Sequence, residues 1–376
     1  MAKPRVLLLG KIDQYVVRIL FNPSAYPFFY GIHHSLIHLF RSAHKTWSAL
    51  SSLADLITPT STSRPAFLSE LSSPHLSNIV AAYRTFSSVS ITGIWDADLV
   101  AALPPSFKLV THNGAGYDQL HIPALTTRGI LACHVPTAVD DATADTALFL
   151  LLGALRNFNP GIQALRKGEF RGNPAPALGH DPQGKVLGVL GMGGIGRNLA
   201  RKCRALGMQV VYHNRHRLSQ SEEEGAQYVG FEELLGQADV VSVHVPLNPA
   251  TRHLLDAKAL GMTKRGCTIV NTARGAVIDE AALVRKLAEG HVRSVGLDVY
   301  EEEPEVHEGL VGNPDVLLLP HMGTWTVETQ ERMEEWCIGN ISGFLEGREG
   351  ISVVPEQKEM WETMVREGRV GRVEEV

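Results

Sequence analysis

The run Val186-Leu187-Gly188-Val189-Leu190, followed at once by Gly191-Met192-Gly193-Gly194-Ile195-Gly196, constrains this chain more than any other feature. The apolar run reads as a buried strand. The residues after it switch to helical spacing, with Ile195, Leu199, Cys203 and Leu206 on one stripe. A G-x-G-x-x-G series between strand and helix has a mechanical reading. Gly191 allows a tight turn, Gly193 lets a ligand approach the backbone, and Gly196 lets the helix pack close to the strand. The helix start then offers free N–H groups and the positive end of its dipole, so Gly191, Gly193, Gly194, Ile195 and Gly196 form a candidate cradle for a dinucleotide pyrophosphate. A merely flexible glycine loop is the plain alternative, and the flanking strand and helix argue against it.

The same rhythm continues beyond the cradle. Val210-Val211-Tyr212, a helix near Phe231 to Leu235, Val240 to Val243, Thr268-Ile269-Val270, a helix from Asp279 to Glu289, Val295 to Val299 and Val316 to Leu319 alternate strand with helix. Apolar strands spaced by helices predict a parallel sheet covered on both faces. Upstream, Arg5 to Gly10, Val89-Ser90-Ile91-Thr92 and Leu109-Val110-Thr111 read as strands of a separate α/β unit. Asp140 to Arg156 predicts a helix with an Asp cap and apolar residues on every face, buried on all sides and set between two domains. An amphipathic stretch follows from Thr326 to Leu345, and the polar tail after Val354 is expected to pack loosely. Phe21, Tyr26, Phe28, Phe29, Tyr30 and Phe40, broken by Pro23 and Pro27, mark residues 13–41 as an insertion that covers the first domain or is foreign to the fold.

At 376 residues, 44% hydrophobic and 20% charged, the chain is long enough for two cores. A net charge of -5, spread along the sequence, argues against a nucleic-acid partner. Cys133, Cys203, Cys267 and Cys337 are far apart and form no CxxC pair, so they read as reduced structural thiols with no metal site. The first apolar run, Val6 to Leu9, is too short for a signal segment or a membrane span, which makes the cytoplasm the expected location. The sequon Asn340-Ile341-Ser342 lies inside a helical pattern and is read as chance.

Three more segments fall at the C-terminal ends of later strands, where ligands bind in open α/β sheets. They are Asn271-Thr272-Ala273-Arg274-Gly275, Asp298-Val299-Tyr300-Glu301-Glu302-Glu303-Pro304 and Pro320-His321-Met322-Gly323-Thr324. An arginine, a carboxylate and a histidine together supply a carboxylate clamp, a partner for an imidazolium and a proton donor. Glu301, Glu302 and Glu303 are consecutive, and the local pattern alone does not choose among them.

With Asn113-Gly114-Ala115-Gly116-Tyr117-Asp118 and His244-Val245-Pro246 added in order, the chain from about residue 85 to 350, with Arg5 to Gly10, resembles the D-isomer-specific 2-hydroxyacid dehydrogenases. Within them it is most similar to the glyoxylate/hydroxypyruvate reductase and D-mandelate dehydrogenase branches. The resemblance implies two Rossmann-like α/β domains. A flavodoxin-like substrate domain would span 1–136, a dinucleotide-binding domain 137–322, and residues 323–376 would return to the substrate domain and form the tail. It implies Arg274, Glu303 and His321 as the catalytic set, Glu303 because that family's carboxylate lies five residues after the aspartate that Asp298 matches. Gly114, Ala115, Gly116 and Arg274 would hold the substrate carboxylate. Val245, Pro246, Thr272, Ala273, Asp298 and Gly323 would join the glycine cradle in binding the cofactor. A small 2-keto or 2-hydroxy acid as substrate and a homodimer are implied as well. A dinucleotide-sensing corepressor of the same fold is the alternative function, separated from an enzyme by turnover.

The acid expected at the end of the second strand, where it would hold the ribose 2′-hydroxyl, is replaced by Asn214-Arg215. A 2′-phosphate would meet no like charge there, and Arg215 offers a fork to hold it. NADP(H) is therefore favoured, NAD(H) remains accommodated by Asn214, and Arg217 either adds to the positive field or, as is commoner for a surface arginine in a loop, is simply solvated. Trp325 either borders the substrate or packs on a helix.

Overall fold

The computed structural model describes residues 3–10, 43 and 45–369, so the aromatic segment 13–41 and the last residues of the tail lie outside the described chain. Its contacts divide it into two compact units, Met1–Ala138 with Thr326–Val376, and Val139–Trp325.

The first unit carries a five-stranded parallel sheet in the order β2-β1-β3-β4-β5. Its strands are β1 (Arg5–Leu9), β2 (Asp55–Ile57), β3 (Ile79–Thr85), β4 (Leu109–Asn113) and β5 (Leu131–Cys133). This is the flavodoxin-like order. Sequence reading placed a strand at Val89–Thr92, but those residues form a short helix that ends at Gly93, φ 68°. The strand is β3, upstream, whose residues Ile79 to Arg84 are all buried. A strand covered on both faces shows no alternation to betray it.

The second unit holds a seven-stranded sheet in the order β12-β11-β10-β9-β6-β7-β8, every pairing parallel. Its strands are β6 (Val186–Leu190), β7 (Gln209–His213), β8 (Gln227–Tyr228), β9 (Val240–Val243), β10 (Cys267–Asn271), β11 (Val292–Leu297) and β12 (Val316–Leu318). The chain reverses its direction of winding between β6 and β9, which places a switch point beside the glycine series.

The helix Asp140–Leu155 packs within this second unit, where Ala144, Ala147, Leu150 and Leu151 join the core formed by β6 and the helix Gly194–Ala205. Two expectations for it need correction. Its cap is Val139, without a side-chain cap hydrogen bond, while Asp140 and Asp141 lie in the first turn. Nor is it buried on all sides, since Phe149 is 52% exposed.

The tail also differs from expectation, because it is anchored. Gln357, fully buried, accepts from Ala132 N at 2.7 Å and donates to Ile130 O at 2.9 Å, and Trp361 and Met364 of the helix Lys358–Arg366 are buried. An amide that completes the edge strand β5 is polar in sequence yet belongs to the core. All four cysteines are free and buried.

Candidate active site

The glycine series turns as its residue types allow. Gly191 has φ 100°, and a Cβ there would meet His244 C and Val245 N at 2.8 Å. A Cβ on Gly196 would meet Gly191 O at 2.5 Å, so helix and turn touch through glycine alone. Gly193 is exposed, and nothing lies within 4 Å of its Cβ position. Arg197 N is the first of the helix to reach a helical acceptor, Gly193 O at 2.9 Å. The N–H groups of Gly194, Ile195 and Gly196 therefore head the helix with no acceptor inside it, which fits a diphosphate.

At the end of β7, Asn214 Oδ1 accepts from Met192 N at 2.6 Å, which leaves its NH2 group as the part that can face a ligand. Arg215 is exposed and has no ion-pair partner among the described residues. Arg217 takes neither of the two roles open to it in sequence, a free charge or a simply solvated side chain. Its Nε and Nη2 lie on Glu223 at 2.7 and 3.1 Å, so its charge is already matched. Val245 and Pro246 follow β9 on the other side of the turn, where burial pushes the neighbouring His244 imidazole down to about 4 and keeps it neutral.

Asn271 closes β10 and shapes the arginine loop, its Oδ1 accepting from Ala273 N at 3.0 Å and its Nδ2 donating to Arg274 O at 2.9 Å. Gly275 is required by contact, because a Cβ there would sit 1.8 Å from Tyr300 C. That contact sets the Arg274 loop directly on the loop that carries the three glutamates. The Thr272 hydroxyl is buried and has no partner among the described residues, as suits a group aimed at a ligand.

Asp298, at the end of β11, organises the histidine turn. Its carbonyl accepts from His321 N at 2.8 Å, and its carboxylate oxygens accept from Met322 N at 2.6 Å and Gly323 N at 2.7 Å. Burial is the main reason its carboxyl is raised. His321 takes φ 56°, a left-handed backbone that few side chains adopt and that these three bonds impose. Its Nδ1 then lies 2.8 Å from Glu303 Oε2, while Glu303 Oε1 accepts from Tyr300 N at 3.0 Å. Burial works against the Glu303 carboxylate. The His321 hydrogen bond and charge, the Tyr300 N–H and Arg274 outweigh it and hold the carboxyl below the usual range.

The three consecutive glutamates differ in their contacts. Glu301 Oε1 is held by His253 Nε2 at 2.5 Å and faces Arg252 at 3.6 Å, and Glu302 is exposed. Glu303 Oε2 is the oxygen that meets His321 Nδ1. Trp325 is 47% exposed.

In the first unit, the loop after β4 is aimed by its carbonyls. Gly114 O accepts from Val135 N at 3.0 Å, and Ala115 O accepts from His134 Nδ1 at 2.9 Å. In a trans peptide the N–H lies opposite the carbonyl, so these two bonds fix the orientation of the peptide planes of the loop. Sequence reading missed the layer beneath it. Fully buried Arg84 donates from Nη2 to Gln119 Oε1 at 2.5 Å and from Nη1 to His112 Nδ1 at 3.3 Å.

Known proteins share this arrangement of elements. The 4-methyl-2-oxopentanoate reductase A of Aspergillus oryzae is 48% identical over 319 residues, 85% of this chain and 96% of the relative. The glyoxylate reductase 1 of Saccharomyces cerevisiae is 46% identical over 325 residues, 84% and 93% of the two chains. Residues 148–323 match the family model described as D-isomer specific 2-hydroxyacid dehydrogenase, NAD binding domain. The chain belongs to this family. A solved member, a glyoxylate reductase from Paecilomyes thermophila, superposes with a TM-score of 0.85 at 46% identity, covering 95% of this chain and 100% of that one. Membership makes the chain a nicotinamide-dependent oxidoreductase of 2-hydroxy acids, and the corepressor-like alternative is not favoured.

Proposed function

We propose that this protein reduces the C2 carbonyl of small 2-keto acids, with glyoxylate and hydroxypyruvate as first candidates and the branched 4-methyl-2-oxopentanoate as a third. The observation that carries the reading is the 2.8 Å contact between His321 Nδ1 and Glu303 Oε2, on a turn locked by Asp298 and beside the Arg274 loop. When bound, the nicotinamide supplies the hydride equivalent that C2 receives. His321 is the general acid. With Nδ1 held by Glu303, proton transfer to the carbonyl oxygen falls to Nε2, and the Glu303 carboxylate stabilises the imidazolium until the proton leaves. Arg274 grips the substrate carboxylate and offsets the charge growing on the oxygen. The Gly114–Gly116 loop is the second element we assign to the substrate carboxylate. Oxidation of the hydroxy acid uses the same groups in reverse, with His321 as base.

In this reading the second unit binds the dinucleotide and the first supplies substrate contacts. NADPH is the better cofactor, because Asn214 presents an NH2 group and Arg215 an unpaired guanidinium to the ribose, while NADH can still be bound. The working form is a homodimer. Phe149, Phe158, Ile162, Leu165, Phe170 and Leu178 are all exposed along the helix Asp140–Leu155 and the segment after it, apolar side chains that a second copy could cover. No helix among the described residues is long and apolar enough to cross a membrane, and the cytoplasm is the compartment we assign. The test is a panel of glyoxylate, hydroxypyruvate, phenylglyoxylate and 4-methyl-2-oxopentanoate with NADPH and NADH. Turnover of at least one supports the reading, and cofactor binding without turnover of any would replace it with a binding function.

A further inference from the structure

Asp140, the first residue of the helix Asp140–Leu155, lies against the glycine cradle. A Cβ built on Gly194 would meet Asp140 Oδ2 at 2.0 Å and Cγ at 2.5 Å, so the carboxylate fills the space that a side chain at position 194 would take. Gly194 is also one of the three residues whose N–H groups head the helix without a helical acceptor. The carboxylate thus touches the residue that would hold phosphate. Among the described residues none donates a hydrogen bond to it and none forms an ion pair with it, the Arg197 charge acting only from a distance.

The charged groups around it are committed elsewhere. Arg197, on the glycine helix, reaches Glu222 at 3.1 Å. Lys202 lies on Asp145 at 2.6 Å and on Asp141 at 3.4 Å, and Arg201 faces Asp141 at 3.7 Å. Burial pushes the Asp140 carboxyl up to about 6, with the Asp141 charge adding to the rise and Arg197 opposing it. The group therefore changes charge close to neutral pH.

We propose that Asp140 is an electrostatic gate on the dinucleotide site, repelling the diphosphate while ionised and taking up a proton as the dinucleotide binds. The proposal rests on the cradle's binding a dinucleotide and adds a determinant of how tightly it does so. An anion arriving beside Asp140 raises its carboxyl further. By linkage, affinity is then full below the free-state value near 6, falls as pH rises through it, and levels off once the higher value of the complex is passed. A rise of one unit in the complex corresponds to a loss of about tenfold in affinity.

The test is calorimetric titration of the full chain with ADP-ribose, which carries the diphosphate, and with adenosine, which carries none, between pH 5 and 8. Two buffers of different ionisation enthalpy report the protons taken up. We expect Asp140→Asn to bind ADP-ribose about tenfold more tightly than the parent at pH 8 and about equally at pH 5. Its proton uptake should be reduced, and adenosine affinity should be unchanged. Asp140→Ser, smaller and also neutral, should behave alike if the asparagine variant folds poorly. An unaltered pH slope and proton uptake in both variants would overturn the gate, as would an equal change in adenosine binding, which signals packing. Failure of the parent chain to bind ADP-ribose at any pH would overturn the gate and the dinucleotide reading together.

Discussion

Glu303 and His321 are joined by a 2.8 Å contact through Nδ1 of the ring, and both residues are positioned by backbone N–H groups or carbonyls of the β11 end and the loop after it. The carboxylate is held ionised by the contact, since its carboxyl lies below the ordinary range. A depressed acid contributes its stabilisation above its ordinary value and loses it as pH falls through the lowered one. The pair thus stays intact down to acid pH.

Glu303→Gln removes the negative charge but keeps the size. The protonated ring loses its stabilising partner, so the alkaline limb of the reductive pH profile should move to lower pH and kcat should fall. A pH–rate series for parent and variant checks this. An unmoved profile would point to a carboxylate other than Glu303.

Gly275→Ala tests whether the contact between the arginine loop and the glutamate loop matters. The new Cβ would lie 1.8 Å from Tyr300 C, a backbone atom that cannot rotate away. Overpacking of this kind typically costs about 1–3 kcal/mol. A thermal melt should show a lowered Tm, and activity should fall further than stability explains, because Arg274 moves relative to Glu303. Parent-like Tm and kcat would show that the loops can separate freely.

How much of this was legible in sequence depended on how local each feature is. The glycine cradle occupies consecutive residues, and its turn, its open face at Gly193 and its helix start follow from residue type. The choice of Glu303 needed the family spacing, since three adjacent glutamates look alike until His253 is seen to take Glu301. Partners distant in sequence were not readable. Gln357 completes β5 from 225 residues away, so a polar tail concealed a core amide. Val89–Thr92 has strand-forming residues but is a helical turn, while the buried strand β3 lacks the alternation that marks a half-exposed one.

The proposed preference for NADPH rests on two side chains. Asn214→Asp places a charge where a 2′-phosphate would sit, and Arg215→Ala removes the unpaired guanidinium. Each should lower kcat/KM for NADPH by about tenfold, the weight of 1.4 kcal/mol, with NADH affected less. Arg217→Ala, whose charge Glu223 already matches, should shift the ratio far less. A parent enzyme with a strong NADH preference would contradict the assignment.

The most direct test of the whole account is kcat for reduction of the best keto acid by His321→Ala, measured beside the dissociation constant for the cofactor. A general acid is worth about 10²–10⁴-fold, so kcat should fall by at least ~10²-fold while cofactor binding stays within a fewfold of the parent. Near-parental turnover by the folded variant would contradict the central claim that His321, held by Glu303, delivers the proton.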